Sequence, residues 1–279
     1  MQKFFDPRLM LVASMTIFGT LGLFVRNISV SSGELALYRA VLAALLLTGF
    51  FVLSKQHIPL SKVKKEIPLL LASGVAMGIN WILLFQAYKY TTVSAATVIV
   101  TVVCPFLFRE KLTVKQIICF IMSTVGLVLI IGIGDVHGDS NIIGILFGLG
   151  AAVFYATVIL LNKFIKKVEG IHRTFLQFIA AIITRSEELL CTSGITLGSL
   201  NNIGWINLLI VGLVHTGITY CMYFSSLKEL PGQKVAILSY IDPLVAVLIS
   251  VTILGETMTI SQVIGGMLIL GFTLWNELK

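Results

Sequence analysis

The stretch VAILSYIDPLVAVLISVTILG, from Val235 to Gly255, decides the fold class of this chain. It is an apolar run long enough for a helix to cross about 30 Å of hydrocarbon. Its single charged residue is Asp242, and Pro243 follows directly. An ionisable group at membrane depth costs about 2.5–3.5 kcal/mol on insertion scales, so it usually faces a cavity, a partner or a substrate path. We therefore interpret the stretch as a membrane span that carries a carboxylate.

Pro243 predicts a kink or a break in this span, because proline lacks a backbone donor and clashes with the preceding helical turn. Broken helices with polar groups form the midplane sites of many transporters. Two interpretations stay open at this point. Asp242 belongs to such a site, or Pro243 only bends a packed helix whose Asp242 bonds a neighbouring helix.

The composition extends this interpretation to the whole chain. Of 279 residues, 57% are hydrophobic and 12% are charged, and the mean hydropathy is +0.99. Soluble globular domains do not combine such values. A β-barrel would have short alternating segments, whereas these apolar segments are long and continuous. The composition predicts an all-α polytopic membrane protein in contact with the lipid bilayer.

The net charge of +7 does not indicate a nucleic-acid partner. The basic residues lie in short loops between apolar runs and form no basic face, which favours membrane topology. The four cysteines lie in or at the edge of apolar runs without metal-ligand spacing: Cys104, Cys119, Cys191 and Cys221. We therefore predict no metal site, and no feature of the sequence calls for a cofactor.

Ten membrane spans are predicted. The first is too long for a signal-peptide core and is expected to stay on the mature chain. The spans lie at about Leu9–Val25, Leu35–Leu53, Ile67–Tyr88, Val93–Phe108, Val114–Ile133, Ile142–Leu161, Thr174–Thr192, Ile206–Leu227, Val235–Leu254 and Ile260–Trp275. Because most of the 20 basic residues fall on the side of the N-terminus, we expect both termini in the cytoplasm and the chain in the cytoplasmic membrane.

The two halves of the chain resemble each other. Residues 74–97, GVAMGINWILLFQAYKYTTVSAAT, run parallel to residues 212–236, and EKLTVKQII (110–118) runs parallel to ETMTISQVI (256–264). Each half holds five spans, and an odd number inverts the second half relative to the first. The sequence therefore predicts two inverted five-helix repeats, 1–136 and 137–279, which is typical of transporters.

Two spans depart from the regular pattern. The fourth, Val93–Phe108, reaches only about 24 Å, so either the bilayer thins around it or this copy is compromised. The seventh contains TRSEELL (184–190). That span ends near Thr184, is locally degraded, or pairs Arg185 with Glu188 on one helix face.

At WILLFQAYKYTTVSAAT, FREKLT, LSYIDPLVAVLISVTILGETMT and IGGMLILG, the chain resembles the EamA-type ten-helix branch of the drug/metabolite transporter superfamily. The resemblance covers nearly the whole chain. It implies a central cavity between the halves, lined mainly by spans 1, 3, 4, 6, 8 and 9, that opens alternately to each side. It also implies export or facilitated movement of a small metabolite, often an amino acid or a derivative.

Polar and aromatic residues deep in those spans are the candidate substrate ligands, because rings supply flat apolar area and amides and hydroxyls supply oriented hydrogen bonds. They are Asn80, Trp81, Gln86, Tyr155, His215, Tyr220, Tyr240 and Asp242, with Pro105 and Pro243 as helix-breaking residues. His215 with Asp242 also suits proton coupling. Ordinary packing, or for His215 a bond to a backbone carbonyl, is the alternative. Arg39 in the second span either balances Asp242 or reaches toward an interface.

The residues also bear on two other classes of protein. Gly132 to Asp135 spells the GxGD motif of intramembrane aspartyl proteases, but the second aspartate of that class directly follows a tyrosine, and Ile241 separates Tyr240 from Asp242. We therefore expect no enzyme. A non-transporting scaffold would need a larger exposed segment than these loops offer. The sequence predicts a secondary transporter of a small metabolite, with a scaffold or a compromised copy as the alternative.

Overall fold

The computed structural model describes residues 6–55, 63–90, 113–131, 139–168, 170–192, 196–253 and 259–277. Within these ranges the chain is helical and contains no β-strand, which confirms the all-α class. The helices are α1 (Pro7–Gly19), α2 (Leu21–Val25), α3 (Ser32–Ser54), α4 (Ile67–Tyr90), α5 (Val114–Ile131), α6 (Asp139–Phe164), α7 (Gly170–Thr192), α8 (Asn202–Ile210), α9 (Thr219–Glu229), α10 (Gly232–Leu238), α11 (Ile241–Thr252) and α12 (Ile260–Glu277). A π-helical segment, Val211–Ile218, joins α8 to α9.

Four of the described segments are long and apolar enough to cross a membrane: Pro7–Val25, Ser32–Ser54, Ile67–Ala87 and Asn202–Leu227. Large apolar side chains also cover the outside of the helices, as at Leu45, Val153 and Met267, which are each more than half exposed. Such a surface is stable in lipid and not in water. The chain is a polytopic membrane protein.

Helices lie at each predicted span that falls within the described ranges. The residues of the fourth span, with Pro105, lie outside these ranges. The count of ten spans therefore stays a prediction. In the seventh span, α7 runs on through Arg185 and Glu188 to Thr192. The alternative of a helix that ends near Thr184 is wrong.

Four helices, α3, α4, α6 and α7, pack closely on one another, and we refer to them as the four-helix group. A buried amide holds three of them together. Gln177 Nε2 donates to Ser73 Oγ at 2.7 Å and to Asn162 Oδ1 at 3.1 Å. At Gly74, an added Cβ would lie 2.5 Å from the carbonyl oxygen of Gln177, so only glycine allows α4 and α7 this close. The group is fixed by both polar and steric contacts.

The remaining helices form a second group in which α1 packs against α9 and α11, and α5 pairs with α12. The two groups meet mainly where α3 contacts the π-helical segment and α7 contacts α9, and we call the whole boundary between the two groups the seam. Close packing there depends on Gly212, because an added Cβ would lie 2.6 Å from the Cβ of Leu42. The seam is closed in this structure.

Two buried carboxylates fix the connections at the two ends of α7. Glu34, in the capping box that begins α3, accepts the N–H of Thr196 at 2.7 Å and the hydroxyl of the same residue at 2.6 Å. Glu66, just before α4, accepts the backbone N–H groups of Lys166, Lys167 and Val168 at 2.8–3.0 Å. Since α3 and α4 begin at opposite ends of the bundle, each carboxylate holds one end of α7.

Burial alone would raise the pKa of the Glu66 carboxyl. The backbone hydrogen bonds from Lys167, Lys166 and Val168 together lower this pKa by more than burial raises it, so it lies below its ordinary value. A depressed folded-state pKa means that the ionised carboxylate stabilises the fold. This stabilisation is complete near pH 7 and is lost as the pH falls below about 4.

We predict that Glu66→Gln lowers the free energy of unfolding by about 1.5–3 kcal/mol at pH 7, because two of the charge-assisted hydrogen bonds lose their acceptor. The difference from wild type should shrink at acidic pH, where the wild-type carboxylate is protonated too. Thermal unfolding in detergent at several pH values measures both effects. Glu229→Gln, at an exposed carboxylate, is the control, and an equal shift for both variants would contradict the prediction.

Candidate functional site

A buried arginine lies at the centre of the seam. Arg39 is on the face of α3 that also carries Ala36, Ala40 and Ala43, whose small side chains leave room for the guanidinium. Its exposed fraction is 1%. A charge in the apolar interior is stable only when nearby groups replace its hydration. The surroundings of Arg39 supply such groups from both sides of the seam.

Aromatic faces and a hydroxyl surround the guanidinium. The Cζ atom of Arg39 lies 4.4 Å from the ring centroid of Trp81 and 5.3 Å from that of Phe85, both on α4. Across the seam, Arg39 Nε donates to Thr216 Oγ1 at 2.7 Å, and Tyr220 lies 6.0 Å from Cζ. The ring faces carry negative partial charge and attract the cation. Arg39 therefore connects the two groups.

The π-helical segment positions the partners of Arg39. Its wider turns leave side-chain hydroxyls bonded five residues back, from Thr216 to the Val211 carbonyl and from Thr219 to the Val214 carbonyl, each at 2.8 Å. The consecutive residues His215, Thr216 and Gly217 are all buried. π-Helical turns are rare and recur at functional sites.

Trp81 and Tyr220 make a second contact across the seam. Trp81 Nε1 donates to the Tyr220 hydroxyl at 2.6 Å, and both side chains are nearly fully buried. Phe18 of α1 and Phe178 of α7 pack edge-on against Tyr220, with ring centroids 5.1 and 6.0 Å away. The structure brings these two predicted residues into one aromatic cluster beside Arg39.

Tyr155 makes the third contact across the seam. Its hydroxyl, on α6, donates to the hydroxyl of Tyr223 on α9, and the two rings stack 6.3 Å apart. Tyr223 also packs against Phe18. Three of the predicted residues, Trp81, Tyr155 and Tyr220, thus bond across the seam.

The ninth span is broken directly before Pro243. Helix α10 ends at Leu238 and α11 begins at Ile241, and the Ser239 carbonyl accepts the N–H of Asp242 at 3.2 Å in place of the donor that Pro243 lacks. Pro243 lies in the first turn of α11, where no helical donor is needed. The break places Asp242 at the start of α11, against α1.

Asp242 is close to α1 but has no polar partner. An added Cβ at Gly19 would lie 2.5 Å from the Asp242 carbonyl oxygen, and the carboxylate forms no hydrogen bond or ion pair within the part of the chain that the structure describes. Asp242 therefore does not balance Arg39 as an ion pair. Tyr220, whose ring centroid lies 6.0 Å from Arg39 Cζ, packs against Trp81 of α4 and against Phe18 of α1, the helix that Asp242 adjoins.

The other predicted residues bond within one group. Asn80 Nδ2 donates to the Ala151 carbonyl at 2.7 Å, inside the four-helix group. In the second group, His215 Nε2 lies 2.8 Å from Thr20 Oγ1, and the Tyr240 hydroxyl lies 2.8 Å from Thr124 Oγ1. Gln86 is half-buried on α4. Asn80, Gln86 and Tyr240 make no described contact with the guanidinium, whereas His215 directly precedes Thr216, which accepts from Arg39 Nε.

Arg39, Thr216, Phe18 and Tyr223 were not among the predicted ligands. A charge within an apolar run pointed to Asp242, and the same signal was present at Arg39. Phe18 and Tyr223 carried no signal that separates them from packing residues. Among the described residues, no group of His, Cys, Asp or Glu could hold a metal ion.

The model of the EamA-like transporter family matches residues 8–132 and again residues 142–276. The chain belongs to this family. It is 30% identical to the uncharacterized transporter YxxF of Bacillus subtilis, over 91% of this chain and 84% of the relative. It is 25% identical to an uncharacterized transporter of Archaeoglobus fulgidus, over 96% and 95%.

The fold also matches a solved structure described only as a crystal structure of a protein. The TM-score is 0.79 at 16% identity, over 96% of this chain and 95% of the other. That likeness concerns the fold alone. Membership of the family makes this chain a multi-pass membrane transporter.

We predict that Tyr220→Phe lowers stability by about 1–3 kcal/mol, because the buried Trp81 N–H loses its acceptor and cannot reach water. Tyr90→Phe is the matched control, since Tyr90 is 40% exposed. Thermal unfolding in detergent compares the two. Equal melting temperatures for the two variants would mean that the bond across the seam adds nothing to stability.

Proposed function

We propose that this transporter moves a small amphipathic metabolite, an amino acid or a derivative, across the cytoplasmic membrane by alternating access, with export as the direction. The substrate binds where the seam opens. The observation that carries the proposal is that three polar contacts cross the seam along about two successive turns of the π-helical segment and α9: Arg39 with Thr216, Trp81 with Tyr220, and Tyr155 with Tyr223.

These contacts suit a site in which a bound substrate replaces the hydrogen-bond partners across the seam. When the two groups separate, the Arg39 guanidinium, the Trp81 N–H and the Tyr155 hydroxyl lose their partners on the π-helical segment and α9. Buried donors without acceptors are costly, so a ligand that supplies acceptors is bound strongly there. A substrate carboxylate fits the guanidinium, and a substrate side chain fits the aromatic faces of Trp81 and Phe85.

The positions of Arg39 and Asp242 support a zwitterionic substrate. Tyr220 links the surroundings of Arg39 and Asp242, because its ring centroid lies 6.0 Å from Arg39 Cζ and it packs against Phe18 of α1, the helix beside Asp242. A molecule that carries both a carboxylate and an amine could contact both residues. The Asp242 carboxylate, which bonds no other residue in the described ranges, is also a better candidate for proton coupling than His215, whose ring contacts Thr20 and the Ile210 carbonyl.

Alternating access requires each end of the site to open in turn. The hydrogen bonds that Glu34 and Glu66 accept keep the two ends of α7 attached to α3 and α4, which supports movement of the four-helix group as one body. The two matches to the family model support the inverted repeats 1–136 and 137–279. The basic loops favour both termini in the cytoplasm.

The test compares metabolites inside and outside cells that express the wild type, Asp242→Asn, Glu229→Gln or no transporter. Asp242→Asn keeps the side-chain shape and removes its charge, and Glu229→Gln makes the same change at an exposed position. We expect one small zwitterionic compound to leave cells with the wild type and with Glu229→Gln, and its efflux to fall about tenfold or more with Asp242→Asn, since a buried charged contact contributes at least about 1.4 kcal/mol.

No redistribution by correctly inserted wild type would contradict the transport of small metabolites and favour a compromised copy or a scaffold. Unchanged efflux by Asp242→Asn would return this carboxylate to a packing role. A redistributed compound without a carboxylate or an amine would contradict the proposed substrate class while leaving transport intact.

A further inference from the structure

Four exposed lysines lie together at one end of the bundle. Lys64 and Lys65 precede α4, and Lys166 and Lys167 follow α6. We call these four residues the lysine surface. Within the part of the chain that the structure describes, none of them forms a close ion pair, although the Glu66 carboxylate attracts the charge of Lys167. They stand at a membrane boundary, because the apolar spans of α4 and α6 begin or end directly beside them.

Glu66 brings the two pairs together. Its carboxylate accepts hydrogen bonds from the backbone N–H groups of residues 166–168 and so fixes the connection after α6 against the start of α4. A small apolar cluster of Val63, Leu70, Ile165 and Val168 packs beneath this contact. The lysines therefore form one surface that exists before any ligand binds, and one carboxylate does not neutralise four ammonium groups.

Apolar side chains lie next to the lysines and face outward. Ile67 and Leu71, one helical turn apart on α4, are 40% and 46% exposed, and Phe164 at the end of α6 is 58% exposed. A surface with ammonium groups above an apolar strip has the layout of an anionic phospholipid, whose phosphate lies above its acyl chains. A soluble phosphate has no apolar part that would contact the exposed side chains of Ile67, Leu71 and Phe164.

We propose that the lysine surface binds the headgroup of an anionic phospholipid, with an acyl chain against Ile67, Leu71 and Phe164. The lipid phosphate contacts lysines from both connections and so joins the start of α4 to the end of α6. Each lysine near a membrane surface contributes about 1 kcal/mol to the attraction of anionic lipid. Glu66 is a positioning residue for this surface and does not contact the lipid.

The experiment measures lipid retained by the purified full-length protein in native mass spectrometry, with dioleoylphosphatidylglycerol, dioleoylphosphatidylcholine or inorganic phosphate added. Three double variants carry the same change in charge: K64Q/K65Q, K166Q/K167Q and, as the control, K55Q/K115Q. Lys55 and Lys115 lie outside the lysine surface. Thermal unfolding in detergent verifies that each variant is folded.

We expect the wild type to retain phosphatidylglycerol in preference to phosphatidylcholine. Each of the first two double variants should lower this retention about tenfold or more, and the control less than about twofold. Equal loss in all three variants, or equal retention of the two lipids by wild type, would overturn the proposal. Displacement of phosphatidylglycerol by inorganic phosphate would overturn it in favour of a soluble anion.

Discussion

The burial of the Arg39 charge is the constraint on which the centre of this transporter depends. A guanidinium without water must have its hydration replaced, and here Trp81 and Phe85 supply ring faces and Thr216 supplies a hydroxyl oxygen. These partners come from both helix groups. The closed seam is therefore also the arrangement that surrounds the Arg39 charge with partners. Any opening of the seam changes the groups around this guanidinium.

The local structure around Arg39 follows from this requirement. Alanines beside Arg39 on α3 give the guanidinium space, and the π-helical turn brings Thr216 and two neighbouring buried residues toward α3. Gly212 then lets the two helices approach closely. The break before Pro243 has a comparable effect on α11, since it exposes the first turn of a helix to the interior and places Asp242 there.

The sequence predicted much of the architecture because its signals are local. Apolar length gave the spans, and the missing donor of Pro243 indicated the discontinuity that the structure has at Ser239 and Tyr240. The grouping of α3 and α4 with α6 and α7 could not be predicted in this way, because it depends on long-range packing at positions such as Gly74 and Gln177. For the same reason, the sequence could not show that Asn80 bonds the α6 backbone or that Phe18 packs against Tyr220.

The most direct test of a seam that opens is the accessibility of a thiol placed inside it. Ala43 of α3 is fully buried beside Gly217, and Ala151 of α6 is equally buried within the four-helix group. Ala43→Cys and Ala151→Cys, in a chain whose native cysteines are replaced by serine, would be treated in membrane vesicles with a membrane-impermeant thiol reagent. Labelling of Ala43→Cys from at least one side, with Ala151→Cys unlabelled, is the predicted result. An Ala43→Cys thiol that resists labelling from both sides would contradict a substrate path along the seam.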